Sequence, residues 1–342
     1  MARRGVKGLL GAVGRRLARL DPQPLAEHIQ TTGVLSPVDA TDPARDALPM
    51  AAMTMCWNEE AYLSKWVAHY GAAFGRENLY IIAHGGEQIV YDLAEGCNVI
   101  AVPRKVIDPA FNRRRARVVE ALVNFLLTSH RAIVFGDVDE YIIADPEAGS
   151  LEDVIEGQRG HVPSLKPLAL NLLEHEGAAP LDFSKPILPQ RPTAHSRYQF
   201  CKPVILFQPT VFVAGFHYST HAPNLGEDLY LVHLHFADST AAETIGKNFD
   251  HSMEQKQILK ESTDRFKNFW TKRVEQFVSY NRRCNRMPLF PLDDMAPELR
   301  AAMRENVVVG NPKKPKQGKT MTFGQVDDKR RIEIPTRFFD VF

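Results

Sequence analysis

RAIVFGDVDEYII, residues 131–143, runs an apolar segment straight into two carboxylates one residue apart. Residues 132–135 are apolar and rich in branched and aromatic side chains, the composition of a buried strand. A buried strand has no use for closely spaced charges. At the end of a strand in an open α/β sheet, however, side chains reach the rim where ligands bind. Asp137 and Asp139 stand at i and i+2, so in extended chain they point to the same side. Two like charges that close repel unless a proton or a cation lies between them. Oxygen ligands of this kind suit Mg²⁺ or Mn²⁺, which also keep water or phosphate oxygens as ligands. The plain alternative is a pair of strand-end caps with no ion.

Outward from this segment, strands and helices alternate. MAAMTMCW, residues 50–57, reads as a buried first strand. A helix follows over 58–74, with Asn58 as N-cap, Glu59 and Glu60 in the first turn, and Leu63, Trp66, Val67 and Tyr70 as its apolar stripe. LYIIAH (79–84) and NVIAVP (98–103) are the next strands. A long helix over 111–130, with Val118, Leu122, Phe125 and Leu126 on one face, leads into the strand before Asp137. This order predicts a mostly parallel sheet with helices on both faces. The later half is mixed. VPSLKPLALNLL (162–173), KPVILF (202–207), TVFVAGFHYST (210–220) and DLYLVHLHF (228–236) read as strands, and two helices follow near 240–259 and 264–281.

The 342 residues are 44% hydrophobic and 24% charged, an ordinary globular composition. A formal net charge of +1 gives no global field toward nucleic acid. The four cysteines lie far apart with no C-x-x-C, so neither a zinc knuckle nor a disulfide framework is expected, and a reducing, cytoplasmic compartment is the default. No apolar run approaches a membrane span. Residues 1–20 carry six basic side chains and no acid beside a helical apolar stripe. Such a helix can lie on the anionic inner face of a membrane, or pack on the body of the protein. Residues 21–49 are Pro- and Asp-rich and read as a linker, and 310–319, GNPKKPKQGK, as a solvated basic loop.

Several segments together carry a family resemblance. MTMCWNEEAYLSKWVAHYGAAFGRENLYIIAHGG (53–86) resembles the opening of GT-A fold glycosyltransferases, in particular family-2-like and family-92-like enzymes. FGDVDEYI resembles their D-x-D-E-[FY]-[IL] segment, and KPVI (202–205), GFHYS (215–219) and LVHLH (231–235) follow in the expected order. The resemblance spans roughly residues 50–250. It implies a GT-A-like, Rossmann-like α/β fold with a mixed C-terminal half. The expected organisation is a basic N-terminal helix and linker (1–49), a catalytic domain (50–285) and a C-terminal extension (286–342). It also implies transfer of a sugar from a nucleotide-sugar donor to a glycan, lipid-linked or other hydroxyl acceptor.

On that resemblance Asp137 and Asp139 hold Mn²⁺ or Mg²⁺ against the donor diphosphate, and Asn58 and Glu59 meet the nucleotide. Helix capping would use the same two residues. His233 and His235 share a strand face and, with His217, are candidate metal ligands; hydrogen bonding within the sheet is the alternative. Within the run Arg113, Arg114, Arg115 and Arg117, Arg115 is the candidate for the donor diphosphate, the rest reading as a solvated face. Glu174 is the candidate catalytic base, with Glu176 beside it, against the plain reading of loop acids. No acid pair of the kind many family-2 enzymes use as base is present. Two other readings stay open: a D-x-D phosphohydrolase, for which Tyr141 stands where Thr or Val is needed, and a sugar-nucleotide binder without activity.

Overall fold

The computed structural model describes residues 43–85, 90–104, 110–213, 215–240, 243, 275–309, 320–324, 326 and 328–342. The basic N-terminal helix, nearly all of the linker, the loop 310–319 and most of the two helices expected at 240–281 lie outside the described residues. Residues 275–284 are helical. No helix among the described residues is long and apolar enough to cross a membrane.

Strand β1 (Met50–Cys56) lies at the centre of the parallel part of the sheet. It pairs in parallel with β2 (Leu79–His84) on one side and β4 (Ala132–Asp137) on the other, and β2 pairs in parallel with β3 (Asn98–Val102). Alternate residues of β1 serve two cores, as the two-residue period requires. Met50, Ala52 and Cys56 pack with Tyr62, Leu63, Trp66, Val67 and Tyr70 of helix α1 (Glu60–Phe74). Ala51, Met53 and Met55 pack with Ala116, Val119, Val123 and Leu126 of helix α2 (Phe111–Leu126). A helix therefore covers each face, which is why β1 is buried along its length and apolar save for Thr54, whose Oγ1 donates to Gly136 O at 3.0 Å. The strand order β3-β2-β1-β4 reverses at β1, so a crevice opens beyond the carboxyl ends of β1 and β4, where doubly wound sheets bind ligands.

The mixed half is built on β6 (Ser164–Leu172). Its first residues pair antiparallel with the short β8 (Ile205–Leu206), which also pairs with β4 and joins the two halves. Farther along, β6 runs parallel to β9 (Leu225–His233), and β9 runs antiparallel to β5 (Glu140–Ala144). Strand β7 (Thr193–His195) pairs with β6 and with a short C-terminal strand, Arg331–Glu333, so the C-terminal segment is part of the same sheet. The α/β class, with its parallel first half and mixed second half, is what the sequence pattern predicts.

Four local expectations change. On α2 the buried stripe is Ala116, Val119, Val123 and Leu126, while Phe125 is 66% exposed and Val118 and Leu122 are only partly buried. Apolar residues occur on adjacent sides of this helix, and the sheet selects one. The described residues of 210–220 form no strand; Phe212 and Ser219 make an isolated bridge, and Gly215 and Phe216 between them have φ of 90° and 60°. KPVILF yields only the two-residue β8. Strand β9 ends at His233, and His235 lies in the following turn.

Candidate functional site

The crevice beyond β1 and β4 gathers the charged residues. The β1–α1 turn passes through Asn58, whose φ is 53°. Asparagine tolerates this left-handed conformation better than most side chains. Asn58 is therefore a turn residue and not the N-cap; Glu59 occupies the cap position, its side chain makes no cap bond into the helix, and its carboxylate accepts from Trp57 N at 3.2 Å. Burial, and then the charge of Asp139, push the Glu59 carboxyl up to about 7. At the rim of β1–β3, the Arg104 guanidinium stacks on Trp57 at 3.5 Å, and His84 stacks on Phe111 at 5.3 Å.

Asp137 ends β4, opposite Met55 in register. Its Oδ1 receives Arg115 Nη2 at 3.2 Å and its Oδ2 receives Lys202 Nζ at 2.9 Å. Burial pushes this carboxyl up, but Lys202 and Arg115 outweigh it and hold the group at about 2. Lys202 also meets Glu140 Oε1 at 2.5 Å. Burial opposes the Lys202 charge, yet Asp137 and Glu140 raise its pKa, so it stays an ammonium at 5% exposure. Glu140 is 1% exposed, burial raises its pKa, and its Oε2 accepts from Asp137 N at 3.3 Å, which closes the turn between the two strands. Arg113, Arg114 and Arg117 are exposed, with Arg117 paired to Glu120 on its own helix; Arg115 alone of the run bonds Asp137.

Asp139 sits in the turn between β4 and β5, with His233 Nε2 at 3.5 Å and His235 Nδ1 at 3.8 Å. Burial pushes its carboxyl up, but the two imidazoles more than offset this and hold it well below the usual range. The rings of His233 and His235 stack at 5.5 Å. One donor atom from each of Asp139, His233 and His235 lies within 4.8 Å of the other two.

Sheet register builds this cluster. His233 of β9 is opposite Glu140 of β5 on one side and Asn171 of β6 on the other. Asn171 Nδ2 donates to His195 O at 3.0 Å, so its Oδ1 faces His233 and accepts from Nδ1–H at 2.9 Å. With Nδ1 committed to Asn171, Nε2 is the nitrogen left on the Asp139 side, where its lone pair could coordinate a cation. Metal-binding histidines are held in this way, the outer nitrogen donating so that the inner one can coordinate. The donor set thus fits a divalent ion, and its two nitrogens favour Mn²⁺ over Mg²⁺. Replacing Asn171 with leucine, which keeps the branched skeleton without the polar atoms, is expected to lower Mn²⁺ affinity about 10- to 100-fold in calorimetric titration. Unchanged affinity would show that Asn171 does not orient the ligand.

The remaining candidates are placed differently. His217 is outside the three-residue cluster; its ring bonds Gln199 O, and its carbonyl accepts from Lys166 Nζ at 3.2 Å and Thr322 Oγ1 at 2.8 Å. Burial lowers its pKa to about 4, with Lys202 adding to the effect. Glu174 accepts from Ser239 N at 2.8 Å and Ser239 Oγ at 2.9 Å, one bond to each carboxylate oxygen. That is a capping role at the helical residues 239–240, and no bond or ion pair among the described residues joins Glu174 to Asp137 or Asp139.

No family model matches this sequence, and no curated protein matches it. Among solved structures, glucosyl-3-phosphoglycerate synthase from Mycobacterium tuberculosis, with Mn²⁺, UDP and glucosyl-3-phosphoglycerate, is 16% identical, covering 37% of this chain and 46% of that one at a TM-score of 0.26. Residues 1–349 of S. aureus TarS are 12% identical, covering 58% of this chain and 64% of that one at a TM-score of 0.32. Mannose-1-phosphate geranyltransferase from Thermus thermophilus is 10% identical, covering 84% of this chain and 74% of that one at a TM-score of 0.26. The chain spans about half to two thirds of the length of the first two.

Three site residues receive no role from the sequence pattern, although Lys202 opens KPVI and Glu140 completes the D-x-D-E segment. Lys202 is a lone charge ahead of an apolar segment, Asn171 a lone amide inside the apolar LALNLL, and Glu140 the acid directly after the aspartates. An isolated polar residue in a buried strand must find a partner, and that is the signal that could have found Lys202 and Asn171.

Proposed function

We propose that this chain is a divalent-cation-dependent glycosyltransferase that takes its sugar from a nucleotide-sugar donor. The observation carrying this reading is the Asp139–His233–His235 cluster beside an ionised Asp137, in the crevice at the β1/β4 switch point. Asp139, His233 and His235 would hold Mn²⁺ or Mg²⁺, which supplies Lewis-acid stabilisation of the diphosphate oxygens. The protein's own groups do the rest. Asp137, fixed from two sides by Arg115 and Lys202, offers its remaining lone pairs to a donor hydroxyl or to ordered water. Arg115, beside Asp137, places positive charge where the diphosphate leaves. Trp57 and Arg104 form the stacked wall at the nucleotide end of the crevice. In transfer, the acceptor oxygen bonds the anomeric carbon as the bond from that carbon to the diphosphate breaks, and the acceptor's hydroxyl proton passes to the departing diphosphate or to solvent. The dehalogenase-type phosphohydrolase needs Thr or Val where this chain has Tyr141.

Thermal unfolding with UDP and GDP, each with and without Mn²⁺, tests the reading. A nucleotide that binds the folded state raises the melting temperature, by about 2.7 kcal/mol of stability at 100 times Kd. The shift is expected only with metal. His235→Ala is expected to reduce it and His217→Ala to leave it, since His235 alone of the two faces Asp139. A metal-independent shift, or none with either nucleotide, counts against the proposal. Turnover of a generic phosphomonoester in place of nucleotide binding would favour the phosphohydrolase.

A further inference from the structure

A second cavity, about 820 Å³, opens beside the crevice, between the first turns of α1 and the segments 180–184 and 238–240. Asn58 and Glu59 line it, so it is continuous with the end of β1 where the proposed donor site begins. One wall is aromatic: Tyr62 and Phe183 meet edge to face at 5.2 Å. The polar lining is hydroxyl-bearing or acidic. Among the described lining residues, Ser64, Ser184 and Thr240 stand with Glu59, Glu60, Asp238 and the Asn58 amide, and the one ammonium is Lys65, whose Nζ donates to Lys185 O at 3.0 Å. Asp238 also fixes the cleft's shape, accepting from Leu181 N at 2.9 Å and Thr240 N at 2.8 Å.

We propose that this cleft is the acceptor subsite and that the acceptor it takes is an uncharged saccharide. The inference rests on the glycosyltransferase reading and narrows it. A saccharide ring has an apolar C–H face for the aromatic wall and hydroxyls for the polar lining, the mixture of large apolar contact and few placed polar groups that small-ligand sites show. A phosphorylated sugar or a lipid diphosphate would bring negative charge against Glu60, Asp238 and, when ionised, Glu59, with Lys65 the one ammonium among the described lining residues, and like charge disfavours it. Glu59 lines the cleft, and its carboxyl is close enough to Asp139 to be raised by that charge, so the cleft opens toward the metal cluster, where the donor's reacting end would lie.

Saturation-transfer NMR on the full chain with Mg²⁺ and UDP or GDP tests this. The probes are methyl glycosides of glucose, galactose and mannose, and the three hexose 6-phosphates. At least one neutral glycoside is expected to receive saturation on its ring protons, and the phosphates are not. Ser64 is exposed on α1, so Ser64→Trp fills the cleft without loading the core. It is expected to lower glycoside affinity about tenfold or more while leaving the nucleotide-induced thermal shift in place. Phe183→Ala, which removes the aromatic wall, is expected to act the same way. Equal binding of phosphates and neutral glycosides, no neutral binding, or binding indifferent to both substitutions overturns the cleft assignment alone, provided the nucleotide shift is present. Loss of the nucleotide shift in the wild type overturns the glycosyltransferase reading and this inference with it.

Discussion

Asp139→Asn is expected to remove metal-dependent nucleotide binding and lower kcat/KM more than about 100-fold, beyond what loss of an outer-shell partner costs. The asparagine keeps size and hydrogen bonding but loses the charge that stands against His233 and His235. Stability should change little, because the carboxylate lies in a turn at the rim and not in either core. Calorimetric titration with Mn²⁺ followed by steady-state rates checks it. Near-normal turnover at saturating Mn²⁺ would mean that the ion, if any, is held elsewhere.

Lys202→Met is expected to have the largest effect on stability. It deletes one ammonium from between two carboxylates, Asp137 at 2.9 Å and the fully enclosed Glu140 at 2.5 Å. Breaking a buried ion pair from one side costs about 3–5 kcal/mol, because the charge left behind has no partner. The loss should depend on pH in a stated direction. Glu140 already has a raised pKa from burial, and removing Lys202 raises it further. A carboxyl whose folded pKa lies above its unfolded value binds more protons when folded, so stability falls as pH rises through that interval. The variant should therefore be weakest at neutral pH and recover as acid protonates Glu140. Urea unfolding across pH 5 to 8 would show it; a pH-independent loss would indicate a packing defect instead. A double variant, Lys202→Met with Glu140→Gln, should regain part of the loss at neutral pH.

The parallel half was legible because its signals are local. β1, β2, β3 and β4 each lie between helices or turn residues and are apolar on both sides, so length and composition suffice to find them. The segment 210–220 misled because it has the composition of a strand without a neighbour to pair with. Its turn at Gly215 and Phe216 leaves the His217 ring bonded to Gln199 O instead. Phe125 misled for a related reason: periodicity shows that a helix has an apolar side, but not which of two adjacent stripes the sheet will cover.

The candidate site divides in the same way. Sequence alone determined that a strand ends in two carboxylates, that two histidines stand one residue apart at the end of another apolar segment, and that an arginine-rich helix precedes the first of these strands. Those are properties of single segments, set by the side-chain periods of helix and strand. Only the tertiary structure decided that Asp139 faces the histidines while Asp137 faces Arg115 and Lys202. It also decided that Asn171 holds His233, that Glu174 is committed to Ser239, and that Asn58 turns the chain. The physical reason is register. Glu140, His233 and Asn171 are brought side by side by pairing among β5, β9 and β6, strands from separate parts of the chain. Shifting such a register by one residue turns every side chain to the other face, and nothing within any one of the three strands fixes it.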